Sequence, residues 1–299
     1  MEAVSTAGVE FVGNLMRYAE VEQRDNSYKL LRLGNCEFEF DVSGVVYGGA
    51  DADKLNTVRE ALGDVFQDTD SSSFKFVLPT SVLTSFASFS AVSAKEDAVR
   101  SQIGFETHLL NGGASDGDVF PGIKNDYSAS EWKRMSVFHL PGDISDRLQE
   151  LGNMFPAQRK EVIPSPIAST SALQSLDAVT QTSPTTTLLM GCYRERTDYG
   201  LVQANGERQV EARFTPTDSD RVYFGLESLH RHGCTASQIE RVLVYGHNVT
   251  AQLLAMLEVD FGNQVSVFNP GPIVSLEEAR FEKGFPLHAF VPCLGASSG

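Results

Sequence analysis

The sequence predicts a two-lobed α/β protein built by duplication of one βββαβα unit. Three observations set this expectation. Residues 241–270 read as a buried strand (242–245), a sharp turn at Gly246, His247 and Asn248, a helix from Thr250, and a short strand (265–268) stopped by Asn269 and Pro270. Their apolar residues bunch without alternation, as in parallel strands covered on both faces. The same order of parts occurs earlier in the chain, and 299 residues exceed one typical core.

In the second half, 186–190, 199–203 and 209–214 form a three-strand meander, followed by a helix over 220–232 and the unit above. In the first half, 9–12, 17–22, 29–33 and 37–42 alternate as strands, with a polar turn at 23–27. Gly48 and Gly49 end that meander, and Asp51 or Asp53 starts a helix to Phe66 with an apolar face of Leu55, Val58, Leu62, Val65 and Phe66. A polar link over 67–73 leads to a buried strand over 74–78, with a helix over 144–155 and a proline-closed strand over 160–164 completing the unit.

Between these parts lies an expected insertion. It holds a strand over 84–89, a Ser93-to-Glu96 capping box ahead of a helix to about Leu110, a Gly/Asp/Asn/Ser-rich loop over 111–130, and a strand over 136–140. A helix over 167–179 crosses to the second lobe, and a Ser/Thr/Pro link follows. The expected divisions are 1–79 for the first-lobe core, 80–142 for the insertion and 143–179 for the rest of that lobe. Residues 180–284 form the second lobe, and 285–299 a C-terminal segment returning to the first.

Lys plus Arg number 24 against 39 Asp plus Glu, a formal charge of −15. That balance argues against a phosphate-backbone binder, because little is available to drive counterion release, so no nucleic-acid partner is expected. No run approaches the roughly 20 apolar residues that span a bilayer. The segment MEAVSTAGVE lacks the basic region of a secretory signal. Cys36, Cys192, Cys234 and Cys293 are scattered without paired spacing and are expected to be reduced thiols in a cytoplasmic protein.

Single features carry bland readings beside sharper ones. Gly13 and Gly191 are expected to be hairpin glycines at positive φ, and Glu10 an outward-facing strand residue. The run from His230 to Cys234 has zinc-ligand chemistry, but it also fits a helix C-terminus with Gly233 as cap. His139 and His288 are expected to be packed or surface histidines, and Trp132 a partly buried anchor beside the inserted loop.

The segments GVEFVGNLMRYAEVE (8–22), FKFVLPTSVLTSF (74–86), SAKEDAVRSQIGFE (93–106), VLVYGHN and VSVFNP, in this order and spacing, resemble the actin-like ATPase superfamily, a duplicated ribonuclease H-like fold. Within it the chain is similar to PilM-type proteins of type IV pilus assembly and to the cytoplasmic domains of type II secretion GspL proteins. The resemblance covers nearly the whole chain and implies an inserted subdomain in the first lobe. The second-lobe insertion is reduced, since only 215–238 is available for it.

In active members, two Gly-containing hairpins and a metal-coordinating Asp hold the phosphates of ATP, because turn N–H groups reach phosphate only where no side chain blocks them. The matching positions here are Glu10, Gly13 and Asn14 in the first hairpin and Gly191 in the second, with Gly246 and His247 at the adenosine-side turn. Glu10 replaces the Asp, Gly13 sits one place late, Leu189 stands where an acid belongs, and His247 is bulky. These departures imply a vestigial nucleotide site, no catalytic residue, no metal and no cofactor. The alternative is a working ATPase that binds ATP with Mg.

The resemblance implies an adaptor in the cytoplasm, held peripherally at the inner membrane through the cytoplasmic tail of a PilN-like protein and joined to other pilus or secretion assembly proteins. The tail is expected in a groove between the first lobe and its insertion, over 80–140. A homodimer remains open. A polymerising relative similar to cell-division FtsA fits less well, given the short second-lobe insertion.

Overall fold

The structure is a computed structural model and describes residues 4–24, 27–49, 51–67, 71–111, 117–126, 131–155, 159–275 and 285–299. Three antiparallel strands open the chain, β1 (Val4–Val12), β2 (Leu15–Arg24) and β3 (Ser27–Glu37). They lead to α1 (Val42–Gly48), α2 (Ala52–Phe66) and β4 (Ser73–Leu78). The insertion follows as β5 (Thr84–Ala91), α3 (Glu96–Leu110), β6 (Gly117–Asp126) and β7 (Trp132–Pro141). The chain then returns through α4 (Gly142–Gly152) and β8 (Arg159–Pro164) into α5 (Ser165–Thr180).

The second lobe repeats the plan with β9 (Thr187–Cys192), β10 (Arg196–Val202), β11 (Arg208–Phe214), α6 (Asp218–Arg231), β12 (Arg241–Tyr245), α7 (Ala251–Phe261) and β13 (Val265–Val267). A short β14 (Val274–Ser275) and α8 (Val291–Ser298) complete the described chain. The sheets run β14-β3-β2-β1-β4-β8, β11-β10-β9-β12-β13 and β5-β7-β6. In both large sheets the first strand of the meander pairs in parallel with the buried strand that follows, β1 with β4 and β9 with β12.

Each lobe has its own core. The first packs Val58, Leu62 and Phe66 of α2 against Phe74 and Phe76 of β4 and against Phe155, whose ring stacks on Phe74 at 4.4 Å. The second packs Leu188 and Met190 of β9 and Val242 and Val244 of β12 under Leu253 and Leu257 of α7. A third cluster joins them: Val291 and Leu294 of α8 meet Leu173 of α5, Ala19 of β2 and Leu189 of β9. That apolar seam lies at the back of the lobes and leaves their front edges to form a cleft.

Four expectations change. Residues 37–42 are not a fourth strand: the Asp41 side chain accepts the Gly44 N–H at 3.0 Å, and buried Val42 and Val46 recur at helical spacing. Gly49 therefore caps α1, at φ +72, rather than ending a meander. Ser93 does not cap α3: Ala94 is turned back onto the Ala91 carbonyl at 3.0 Å, Lys95 occupies the cap without a side-chain bond, and Glu96 is already helical. The expected loop over 111–130 contains β6, whose ladder to β7 organises a polar sequence that has no strand pattern of its own. Its residues 112–116 and 127–130 lie outside the described residues. Trp132 is 56% exposed and is no buried anchor.

Candidate functional site

Between the lobes lies a cleft of about 930 Å³, lined by Gly13, Asn14, Arg17, Tyr193, Arg196 and His247 among others. One wall is the β1–β2 hairpin. Gly13, at φ +59, occupies the first central position of its two-residue turn, where a hairpin that follows the strand twist requires positive φ. A Cβ there would meet nothing within 4 Å, so the turn is open to the cleft. Asn14 is tied down by its Nδ2, which donates to Glu37 Oε1 at 2.9 Å.

Glu10 does not face outward. It is 0% exposed, because β1 is an inner strand flanked by β2 and β4, and its cleft side is covered by the second lobe. Burial lifts its carboxyl to about 7 against the pull of Arg17 and Arg196, with Asp198 adding to the rise. Its Oε1 accepts from the Tyr193 hydroxyl at 3.3 Å, and Oε2, also buried, has no partner.

The opposing wall is the β9–β10 hairpin, and it is built differently from the first. Its turn carries Tyr193, Arg194, Glu195 and Arg196, and Tyr193 N–H donates to the Arg196 carbonyl at 2.8 Å. The Tyr193 ring, 4% exposed, points into the first lobe with the Arg196 guanidinium 4.2 Å above its centre. Arg196 and Asp198 share one face of β10 at the two-residue strand period, and Arg196 Nε lies 3.0 Å from Asp198 Oδ1. The Asp198 carboxylate, with no exposure, accepts from Thr80 Oγ1 at 3.0 Å and from Ser165 Oγ at 2.5 Å. Ser165 Oγ is also 3.0 Å from the Tyr193 hydroxyl.

Arg221 of α6 fixes this hairpin from behind. Its Nη2 donates to the carbonyls of Tyr193 at 2.7 Å and Arg194 at 3.3 Å, and its Nη1 pairs with Asp218.

Gly191 supplies no positive φ. It lies within β9 opposite Asp198, and the Tyr245 ring occupies the space its side chain would take, 2.5 Å from an added Cβ. Gly246 does adopt φ +99, yet its N–H donates to the His288 carbonyl at 3.1 Å and its carbonyl accepts from His288 Nδ1 at 2.8 Å. That bond places the proton of His288 on Nδ1. His247 stands at the cleft with its ring edge-on to Tyr193 at 5.5 Å. The residue stays exposed at the cleft, but its partial burial, with Arg17, Arg196 and Arg221 nearby, pulls its pKa down to about 4.

Gly13, Asn14 and His247 thus line the cleft and Glu10 lies buried against Tyr193, whereas Gly191 and Gly246 are committed to packing behind it. Leu189 is buried in the seam with α5 and α8. Among the described residues no group of three or more His, Cys, Asp or Glu side chains is placed to hold a metal. The 230–234 run ends α6, with Gly233 at φ +72 beyond its last turn. Arg17, Tyr193, Arg196, Asp198 and Arg221 escape the sequence reading; the available signal was the Arg-x-Asp spacing on a strand otherwise made of buried residues.

Neither a family model nor a curated protein matches the sequence. Solved structures do. The chain overlays a PilM–PilN type IV pilus biogenesis complex at a TM-score of 0.75, with 13% identity over 97% of each chain. It overlays a Bacteroides thetaiotaomicron protein of actin-like ATPase fold and unknown function at 0.54, with 10% identity over 97% of this chain and 96% of that one. The chain has the actin-like ATPase fold. Its actin-like lobes carry one inserted subdomain, the β5-β7-β6 sheet with α3, and only α6 and a short 3-10 turn between β11 and β12. No described helix is long and apolar enough to cross a membrane.

Proposed function

We propose that this chain is an actin-like adaptor of type IV pilus or type II secretion assembly that has given up nucleotide chemistry. The observation that carries this reading is that the polar groups at the interlobe centre are engaged with one another: beside the cleft, Tyr193 bonds Glu10 and Arg196 pairs with Asp198. The Gly246 amide, expected on the adenosine side, is already bonded to His288. On this reading Glu10, Gly13, Asn14, Gly191, Gly246 and His247 are vestigial nucleotide-site positions kept for structural reasons.

The partner is the cytoplasmic tail of a PilN-like inner-membrane protein, which holds the adaptor at the cytoplasmic face of the membrane and connects it to other assembly proteins. The overlay on a PilM–PilN complex along 97% of both chains supports that choice. The divisions 1–79, 80–142, 143–179, 180–284 and 285–299 define the working parts. Where the inserted subdomain meets the first sheet, a cavity of about 390 Å³ is lined by Phe76, Asp118, Leu148, Gln149, Lys160 and Val162, and this is the place to look for the tail.

Fluorescence anisotropy of a labelled tail peptide from the organism's own inner-membrane assembly protein tests the assignment. Saturable binding is expected, weakened at least tenfold by Gln149→Trp, which fills the cavity from an exposed position. Absence of binding to the wild-type chain would remove the adaptor reading.

A further inference from the structure

We propose that Glu10, Thr80, Ser165, Tyr193, Arg196 and Asp198 form a buried latch that holds the two lobes closed with no ligand between them, and that breaking it opens the cleft. This goes beyond the adaptor reading and holds whatever partner the chain serves.

The members come from both lobes. Glu10 lies on β1, Thr80 just after β4, and Ser165 directly after β8, all attached to the first sheet; Tyr193, Arg196 and Asp198 belong to the β9–β10 hairpin. Every strong bond in the group therefore crosses from one lobe to the other or neutralises a charge that does. Asp198 receives Thr80 at 3.0 Å and Ser165 at 2.5 Å, Tyr193 reaches Glu10 at 3.3 Å and Ser165 at 3.0 Å, and Arg196 Nη1 donates to Ser81 at 3.3 Å.

In proteins that close around a ligand, the ligand fills the space between domains and supplies polar partners to both. Here Tyr193 and Asp198 offer polar partners to the first lobe directly.

The latch is built to be reversible. A seam of hydrocarbon resists opening because opening exposes apolar surface, and α8 forms such a seam at the back. The front contact is polar, and its groups regain water when the lobes part. Two atoms at this contact, Glu10 Oε2 and Arg17 Nη1, are buried without partners, so the closed arrangement carries a polar penalty. The closed state is thus held by a few directional bonds, so the loss of one or two of them shifts the balance.

Amide hydrogen exchange and small-angle X-ray scattering on the full chain test the latch, using wild type, Asp198→Ala, Tyr193→Phe and Arg134→Ala. The last removes an outer contact between the lobes, Arg134 with His232 at 3.4 Å, and serves as control. Asp198→Ala is expected to speed exchange at least tenfold over 12–17 and 193–196 and to enlarge the radius of gyration, while β4 and β12 stay protected. Tyr193→Phe, which loses only a hydroxyl, shifts the same segments by less, and Arg134→Ala leaves them unchanged. Unchanged exchange and radius in both latch variants would overturn the proposal. Should Asp198→Ala lose protection everywhere, Tyr193→Phe decides: faster exchange confined to those segments supports the latch, and none overturns it.

Discussion

The Tyr193 hydroxyl stands 3.3 Å from the Glu10 carboxylate, so a side chain from a hairpin of the second lobe ends on an inner strand of the first. In this fold the two hairpins are expected to face a phosphate chain, but here they face each other through a tyrosine. The consequence for Glu10 is a fully buried carboxyl, with a pKa raised by burial to about 7.

That shift predicts a pH dependence with a definite sign. A carboxyl whose folded pKa lies above its unfolded value stabilises the fold most below about 4.5, and this contribution is lost as pH rises through about 7. A displacement of this size corresponds to about 3 kcal/mol. Urea unfolding of wild type and Glu10→Gln at pH 5 and pH 8 checks it. The variant should gain on wild type by a few kcal/mol between the two conditions. His247, held neutral with a pKa near 4, has the opposite sign, since its contribution is lost as pH falls from 6.5 through 4. It is common to both chains and cancels in the difference.

Three glycines near the cleft should respond to alanine in a fixed order. Gly13→Ala meets no neighbour, but φ is +59, which costs about 1–2 kcal/mol in a residue with a Cβ. Gly191→Ala meets the Tyr245 ring at 2.5 Å, an overpacking of about 1–3 kcal/mol. Gly246→Ala combines φ +99 with a contact 2.4 Å from the Cys192 carbonyl oxygen and should be the most damaging. Melting temperatures of the three variants test the order.

Arg221 should outweigh every exposed ion pair of the same lobe. It is 2% exposed, and its loss takes the ion-pair partner from Asp218, which keeps the Thr250 hydroxyl, and leaves two hairpin carbonyls without it, so Arg221→Ala is expected to cost about 3–5 kcal/mol. Arg231→Ala breaks surface pairs with Glu227 and Glu211 and should cost about 1 kcal/mol. Chemical denaturation of both variants supplies the comparison.

The lobes were legible because β4, β9 and β12 carry bunched apolar residues between turn signals, and their repetition exposed the duplication. Helix α1 was not, since VSGVVYG follows an alternating meander and only the Asp41 cap breaks it. Strand β6 was hidden because its order comes from pairing with β7 rather than from its own composition. At the site, Gly13 announced its hairpin, but Gly191 lies within β9 instead of a turn, and the burial of Glu10 left no local signal. That burial involves Tyr193, 183 residues away, and Cys293 of α8, contacts that no local pattern records.

Calorimetric titration of the purified chain with ATP and Mg, with melting temperature followed in parallel, tests the loss of nucleotide binding most directly. A ligand at 100 times its dissociation constant adds about 2.7 kcal/mol of stability, so micromolar affinity would raise the melting temperature visibly. Neither heat nor a shift is expected at millimolar ATP. Saturable, Mg-dependent binding lost in Glu10→Ala would contradict the account and return the cleft to a working nucleotide site.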